Sequence, residues 1–177
     1  MAFADVPGLR PTPDRVRETL FNWLQPHIVG ARCLDLFAGS GALGLEALSR
    51  GAESTVFVDT SPVVGRVLQA QLDLLQAGHQ ARVVTAAAAD YLMAAGDSAI
   101  DIVFLDPPFA DGGWEEVVTA LVAGGLLAAD ALIYIETPRD ISPQLPQSWT
   151  VWRQTLAGQI RAAVYRRQAS VDLTVVK

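Results

Sequence analysis

Hydrophobic residues recur along the chain first at helical and then at strand-like spacing, a pattern that predicts an α/β fold. The first apolar set has helical spacing and comprises Val16, Leu20, Trp23 and Leu24. Thr12 is a suitable N-cap and Pro13 fits the first helical position, while Pro26 is expected to end the element. A helix over about 13–25 is therefore predicted ahead of the sheet.

Five short apolar runs then alternate with helical segments. The predicted strands cover 33–37, 55–58, 82–85, 100–105 and 132–135, and the predicted helices cover 43–51, 61–78, 87–94 and 114–122. Such alternation implies right-handed crossovers and a mostly parallel sheet. Residues 149–155 and 159–167 instead alternate like strands around a turn at Ala157-Gly158, which predicts an antiparallel hairpin. We expect a seven-stranded, mostly parallel sheet that ends in this β-hairpin.

Composition supports one folded domain of ordinary size. The 177 residues are 51% hydrophobic and 18% charged, which suffices for a full core. No apolar run approaches the ~18 residues of a membrane span, and the N-terminus does not have the pattern of a signal peptide. Cys33 is the only cysteine, so an internal disulfide and a cysteine-based zinc cluster are excluded. We expect Cys33 to be a buried core residue and the protein to be a cytoplasmic monomer with no metal and no membrane partner.

The net charge of −6 argues against a protein that coats nucleic acid through bulk positive charge. The arginines are nevertheless unevenly distributed. Arg153, Arg161, Arg166 and Arg167 lie near the end of the chain, and Arg10, Arg15 and Arg17 lie near its start. Two interpretations stay open: a local basic face built from both ends of the chain, or ordinary solvated side chains.

The first chemical motif is a glycine-rich turn, Gly39-Ser40-Gly41-Ala42-Leu43-Gly44, between a predicted strand and a predicted helix. Glycines here permit a tight turn and a close approach of the backbone to a ligand. Asp59 ends the next predicted strand, where a carboxylate would accept hydrogen bonds from ribose hydroxyls. The pair predicts an adenosine-type ligand without distinguishing NAD from S-adenosylmethionine, and plain turn chemistry is the alternative.

Other residues near the turn are candidate ligands of the same cofactor. Asp35 lies inside the first strand, where burial of a carboxylate is costly, so it is expected to face the ligand or else to bond backbone amides. Asp90 follows the third strand and is a candidate for the adenine amino group, or else an acid at a helix start. Phe37 and Ser40 complete the predicted set.

The tetrapeptide Asp106-Pro107-Pro108-Phe109, after the fourth predicted strand, is the most specific signal in the chain. The Asp106 carboxylate and the Pro107 carbonyl are acceptors for an amino group whose lone pair is delocalised into a ring. The prolines restrict the backbone so that these acceptors converge, and Phe109 offers a face on which a base can stack. The base would have to be unpaired or flipped. The motif predicts methyl transfer from S-adenosylmethionine to an amino group; the alternative is a strand end followed by a proline turn.

The aromatic and histidine positions indicate less. Trp23, Trp114, Trp149 and Trp152 are expected to pack in the core or hairpin more often than to form stacking platforms. His27 and His79 lack partners at metal-binding spacing, so neither a metal nor a catalytic role is expected for them.

The segment from Leu34 to Ala47, together with Asp106-Pro107-Pro108-Phe109, resembles the class I methyltransferases that act on amino groups. Arg10-Pro11-Thr12 and the segment from Asp14 to Leu24 narrow the resemblance to the bacterial 16S ribosomal RNA guanine-N2 methyltransferases. It covers about Pro7 to Gln168. The resemblance implies a Rossmann-like class I methyltransferase fold in a single domain, 1–177, with an N-terminal arm and helix at 1–30 and a catalytic core at 31–177.

The resemblance also implies roles for particular residues. Gly39, Gly41 and Asp59 would hold S-adenosylmethionine, and Asp90 would reach its adenine. Asp106 to Phe109 would orient the guanine N2, and Arg10, Arg15 and Arg17 would lie near cofactor and RNA phosphates. The implied substrate is 16S RNA in an assembled or nearly assembled small ribosomal subunit.

One departure from the family pattern concerns the N-terminus. Family members usually carry an additional basic β-hairpin before the Arg-Pro-Thr segment, whereas nine residues, none of them basic, precede Arg10 here. Either this sequence begins late, or part of the RNA-binding surface is lacking.

Other functions stay open on the sequence. One alternative is methyl transfer from S-adenosylmethionine to a different amino group, either adenine N6 or a protein glutamine. In other classes, the chain would be a nicotinamide-dependent oxidoreductase, in which Asp106-Pro107-Pro108-Phe109 has no role, or a non-catalytic ribosome-assembly module.

Overall fold

A computed structural model describes residues 14–96, 99–107 and 114–168, in which helices pack on both faces of one sheet. The helices are α1 (Asp14–Ile28), α2 (Ala42–Ser49), α3 (Pro62–Leu74), α4 (Ala88–Ala94) and α5 (Trp114–Ala123). The strands are β1 (Arg32–Asp35), β2 (Ser54–Asp59), β3 (Ala81–Thr85), β4 (Ile100–Leu105), β5 (Leu127–Pro138), β6 (Trp149–Ala157) and β7 (Ile160–Arg167).

The sheet has the order β3-β2-β1-β4-β5-β7-β6. Strands β1 to β5 pair in parallel, whereas β7 runs antiparallel to both β5 and β6. The predicted seven-stranded, mostly parallel sheet with a terminal antiparallel hairpin is thus confirmed. Its carboxyl edge lies at the ends of β1, β2 and β4, so the acids Asp35, Asp59 and Asp106 are placed along one edge.

Two apolar layers sandwich the sheet. Leu34, Val103 and Ile133 pack with residues of α4 and α5 on one face. Cys33, Phe104 and Tyr134 pack with residues of α1 and α2 on the other. Cys33 is 1% exposed, which confirms its prediction as a core residue. Because side chains alternate along a strand, Asp35 shares the second face with Cys33, and Glu136 shares it with Tyr134.

Helix α1 buries one stripe against this second face, formed by Val16, Leu20, Phe21, Leu24 and Ile28. The prediction that Pro26 ends the helix is wrong, because the helix continues to Ile28. Proline lacks one helical amide hydrogen and crowds the carbonyl four residues earlier, but Ile28 is fully buried beyond the predicted end. The buried anchor therefore holds the final turn in place.

Other predicted boundaries shift where the backbone geometry requires it. β1 ends at Asp35 rather than Phe37, because the chain bends into the glycine turn. α3 ends at Leu74 rather than at Gly78, since Gln76 takes the left-handed conformation with φ 55°. β5 is longer than predicted, because its pairing with β7 extends it to Pro138.

Candidate functional site

The glycine turn is held by Asp59 at the end of β2. Gly39 and Gly41 have positive φ angles of 50° and 76°, which glycine adopts without strain. The Gly39 amide donates to Asp59 Oδ2 at 3.0 Å, and the Ser61 amide donates to Asp59 Oδ1 at 2.8 Å. One carboxylate therefore joins the turn to the start of α3. Each oxygen keeps a further lone pair, so both retain capacity to accept a ribose hydroxyl.

Gly44 brings α2 close to β2. A Cβ atom at Gly44 would lie 2.3 Å from Phe57 Cε1, and the Phe57 ring is fully buried. A Cβ at Gly41 would lie 2.4 Å from Leu68 Cδ2. Gly44 thus allows α2 to pack closely on β2, and Gly41 allows the start of α2 to pack closely on α3. A direct contact of either with a cofactor stays a prediction.

Asp35 lies beneath the same turn. Its side chain is on the α2 face, and Oδ2 accepts the Gly44 amide at 3.0 Å. Burial raises the pKa of Asp35 to about 7, and the nearby Asp59 charge adds to the rise, while the Gly44 bond opposes it. This contact fits the alternative in which the buried acid is satisfied by a backbone amide. Whether Asp35 also reaches a cofactor stays a prediction.

Asp106, directly after β4, lies beside Glu136 of the neighbouring strand β5. Leu105 pairs with Ile135 in the parallel ladder, so Asp106 follows one residue beyond this pair, as Glu136 does on β5. Tyr134 donates its hydroxyl to Glu136 Oε1 at 2.5 Å, and both residues are almost fully buried. Burial, the Glu136 carboxylate and Asp106 all raise the pKa of Tyr134, so the phenol stays protonated. Asp106 therefore lies beside a buried phenol–carboxylate pair.

Sequence reasoning missed Tyr134 and Glu136. The strand predicted from the apolar run stops at Ile135, which leaves Glu136 outside it. A signal is present, because an acid directly after the β5 apolar run occupies the same kind of position as Asp59 and Asp106 do after theirs. Such strand-end acids lie where open α/β sheets bind ligands.

The remaining predicted residues are scattered around this edge. Ser40 is exposed on the turn, Phe37 is half-buried against the core, and Asp90 is exposed in the first turn of α4. Pro107 is buried directly after Asp106. Pro108 and Phe109 lie outside the described residues, so their predicted contacts with the substrate stay predictions.

The predicted RNA-binding arginines are only partly described. Arg15 is exposed in the first turn of α1. Arg17 makes an ion pair with Asp14 at 2.8 Å, and the Asp14 side chain is 91% exposed, so this pair contributes little stability. Arg10 lies outside the described residues.

No metal site and no membrane span are found in the described ranges. Within residues 14–96, 99–107 and 114–168, no three His, Cys, Asp or Glu side chains come together as metal ligands. No helix in the same ranges is long and apolar enough to cross a bilayer.

Three features define a class I methyltransferase fold: the strand order, the glycine turn that is hydrogen-bonded to an acid at a strand end, and the terminal antiparallel hairpin. A solved structure from Escherichia coli, YhhF, described as a putative methyltransferase, superposes with a TM-score of 0.85 at 50% identity, over 93% of this chain and 91% of that one. This likeness favours methyl transfer over the oxidoreductase alternative.

A family model described as "Conserved hypothetical protein 95" matches residues 1–166, and the chain belongs to this family. Ribosomal RNA small subunit methyltransferase D of Escherichia coli (strain K12) is 49% identical over 166 residues, which cover 93% of this chain and 83% of the relative. The protein of the same name from Haemophilus influenzae is 41% identical over 161 residues, covering 90% and 83%. The resemblance inferred from the motifs is confirmed.

Proposed function

We propose that the protein transfers a methyl group from S-adenosylmethionine to the exocyclic N2 amine of a guanine in 16S rRNA of the small ribosomal subunit. The observation that carries this proposal is the arrangement at the carboxyl edge of the sheet. A glycine turn fixed by Asp59 and an acid–proline pair, Asp106-Pro107, lie on neighbouring parts of that edge. The kinship with enzymes named for the small ribosomal subunit supports the RNA substrate.

The cofactor would lie against the glycine turn. Gly39 and Gly41 allow its close approach, and the Asp59 carboxylate, held by two backbone amides, is oriented for the ribose hydroxyls. S-adenosylmethionine supplies an electrophilic methyl group on a positively charged sulfur. Asp90 is the candidate for the adenine amino group.

The chemistry would be a direct displacement. The guanine N2 lone pair forms the new N–C bond as the C–S bond breaks, and the electron pair of that bond stays on sulfur to give S-adenosylhomocysteine. The Asp106 carboxylate and the Pro107 carbonyl would accept the N2 hydrogens and aim the lone pair at the methyl. The nitrogen loses one proton as the bond forms, to Asp106 or through it to water. The buried Tyr134–Glu136 pair lies next to Asp106 and would limit its movement.

Two measurements test the class and the acceptor separately. S-adenosylhomocysteine should raise the melting temperature of the protein, whereas NAD should not. The reverse result would favour the oxidoreductase alternative. Labelled methyl should then pass from S-adenosylmethionine to unmodified small subunits and appear in N2-methylguanosine after digestion. Label in N6-methyladenosine or in protein glutamine would replace the proposed acceptor.

A further inference from the structure

Two arginines of the terminal hairpin contact one tryptophan. The guanidinium carbon of Arg153 lies 4.8 Å from the Trp152 ring centroid, and that of Arg166 lies 5.1 Å from it. The His27 ring meets Trp152 edge-on at 5.3 Å, and Arg166 Nη2 lies 3.5 Å from His27 Nε2. We call His27, Trp152, Arg153 and Arg166 the hairpin patch. It joins the end of α1 to β6 and β7.

The other two hairpin arginines have structural tasks. Arg161 donates to the carbonyls of Arg139 and Ile141 at 3.0 and 3.2 Å, which ties down the loop after β5. Arg167 donates to the carbonyls of Leu127 and Ala128, at the start of β5. Each of these two guanidinium groups bonds two carbonyls of a distant segment of the chain, which distinguishes Arg161 and Arg167 from Arg153 and Arg166.

The charges of Arg153 and Arg166 are not neutralised in the described part of the chain. The ion pairs found there involve Arg17, Arg32 and Arg50 instead. Among the described residues, Arg153 donates only to the Trp152 carbonyl, at 3.1 Å, and Arg166 Nε is enclosed without a hydrogen-bond partner. The sequence from 141 to 168 contains no acid, although the whole chain has a net charge of −6. The hairpin patch is therefore a local cationic surface on an acidic protein.

We propose that the hairpin patch binds the phosphate backbone of the RNA substrate, as a second contact region separate from the methyl-transfer edge. This proposal rests on the proposed function for the identity of the RNA. Guanidinium groups are the preferred partners of phosphate oxygens, and backbone contacts position a nucleic acid without reading its sequence. Trp152 holds both guanidinium groups by cation–π contact, which reduces the entropy lost when they engage phosphates.

The position of the patch determines the size of the ligand. Arg166 pairs with Leu132, which pairs with Ile102 in the amino-terminal half of β4, whereas Asp106 follows the carboxyl end of β4. The Phe21 ring contacts Phe104 near that end, at 5.9 Å, so α1 runs back from the methyl-transfer edge towards His27. The four residues from Ile102 to Asp106 separate the two regions by about 13 Å along the strands, and the two strand spacings from β4 to β7 add about 10 Å across the sheet. A ligand that reaches both regions must be an extended RNA rather than a single nucleotide.

The test compares two double variants of equal charge change. Arg153→Gln with Arg166→Gln removes the patch cations, and Arg66→Gln with Arg82→Gln removes two exposed arginines near the opposite edge of the sheet, on α3 and β3. With unmodified small subunits as substrate, the patch variant should raise KM about tenfold or more at unchanged kcat. Loss of two phosphate contacts should also reduce the slope of log Kd against log salt by about 1.4 to 1.8. The control variant should leave both quantities unchanged.

Three outcomes would overturn the proposal. The first is an unchanged KM for the patch variant while the wild-type protein methylates subunits. The second is an equal loss in the control variant, which would indicate bulk charge. The third is weakened binding to subunits with unchanged filter binding to protein-free 16S RNA, which would assign the patch to a ribosomal protein. Affinity for S-adenosylhomocysteine and the melting temperature verify that the variants fold. Failure of the wild-type protein to methylate subunits would instead refute the proposed function.

Discussion

The Gly44 amide donates to the buried Asp35 carboxylate at 3.0 Å, which joins the end of β1 to the first turn of α2. The Asp59 carboxylate makes the equivalent link from the other side of the turn, through Gly39. Two acids thus fix the backbone against which the cofactor is proposed to lie. A turn held in this way needs little rearrangement when a ligand arrives, which favours binding.

The buried position of Asp35 predicts a pH-dependent stability. Its pKa of about 7 in the folded state lies above the value of about 3.9 expected for an unfolded chain. The folded protein therefore binds more protons between these values, and the contribution of Asp35 is most favourable below pH 4 and lost as the pH rises to about 7. Asp35→Asn keeps an acceptor for Gly44 and removes the titration.

The Asp35→Asn variant should accordingly gain stability relative to wild type as the pH rises from 4 to 7, by an amount on the order of a few kcal/mol. Urea unfolding at several pH values measures the difference in unfolding free energy between the variant and the wild type. The contributions of the other titrating groups cancel in this difference. Parallel stability profiles for the two proteins would show that Asp35 ionises normally in the folded state.

Gly44 is predicted to tolerate no side chain. A methyl group there would lie 2.3 Å from the buried Phe57 ring, so Gly44→Ala should destabilise the protein by about 1–3 kcal/mol through overpacking. Gly78→Ala is the matched control, because nothing lies within 4 Å of the added atom. Thermal unfolding of the two variants provides the comparison, and similar melting temperatures would refute the packing role.

Asp106 is predicted to act on turnover rather than on cofactor binding. Asp106→Ala removes an acceptor for the attacking amine and should lower kcat on the order of 10²-fold or more. Affinity for S-adenosylhomocysteine should change little, since the glycine turn and Asp59 are untouched. Asp106→Asn keeps an oxygen acceptor without the charge, so its kcat should fall between those of wild type and Asp106→Ala. Methyl-transfer kinetics and calorimetry measure the two effects, and full turnover in Asp106→Ala would eliminate the role.

The Tyr134 hydroxyl is predicted to stabilise the fold beside Asp106. Tyr134→Phe removes the donor that Glu136 receives in a buried setting, which should cost about 1–3 kcal/mol. Tyr165→Phe is a control of the same chemistry, since the Tyr165 hydroxyl makes no hydrogen bond with the described residues. Equal unfolding free energies for both variants would mean that the Tyr134–Glu136 bond adds no net stability.

The features that depend on local pattern could be predicted from the sequence. Alternating apolar runs indicate the order of strands and helices, and the glycine spacing with Asp59 indicates the turn and its acid. These features can be predicted because the hydrophobic periodicity of a strand or a helix involves only residues that are close in sequence.

Features that depend on distant partners were not readable. The extension of β5 past Ile135 depends on its pairing with β7, where Glu136 lies opposite Ala162, so the bond between Tyr134 and Glu136 could not be predicted, although the place of Glu136 after an apolar run is visible in the sequence. The contact of two arginines with Trp152 lies at the irregularity between Val151 and Arg153 in the β6–β7 pairing, which the sequence does not indicate. No local pattern around Arg153 distinguishes it from Arg161, which bonds the distant carbonyls of Arg139 and Ile141.

Methyl transfer to guanine N2 in 16S RNA, at the sheet edge that carries Asp106, is the central claim. Its most direct test incubates small subunits that lack the modification with labelled S-adenosylmethionine and either wild-type protein or the Asp106→Ala variant, followed by nuclease mapping. We predict label as N2-methylguanosine at one position of 16S RNA with wild-type protein, and a strongly reduced rate with the variant. Label in another nucleoside, or no transfer by wild-type protein that binds S-adenosylhomocysteine, would contradict the claim.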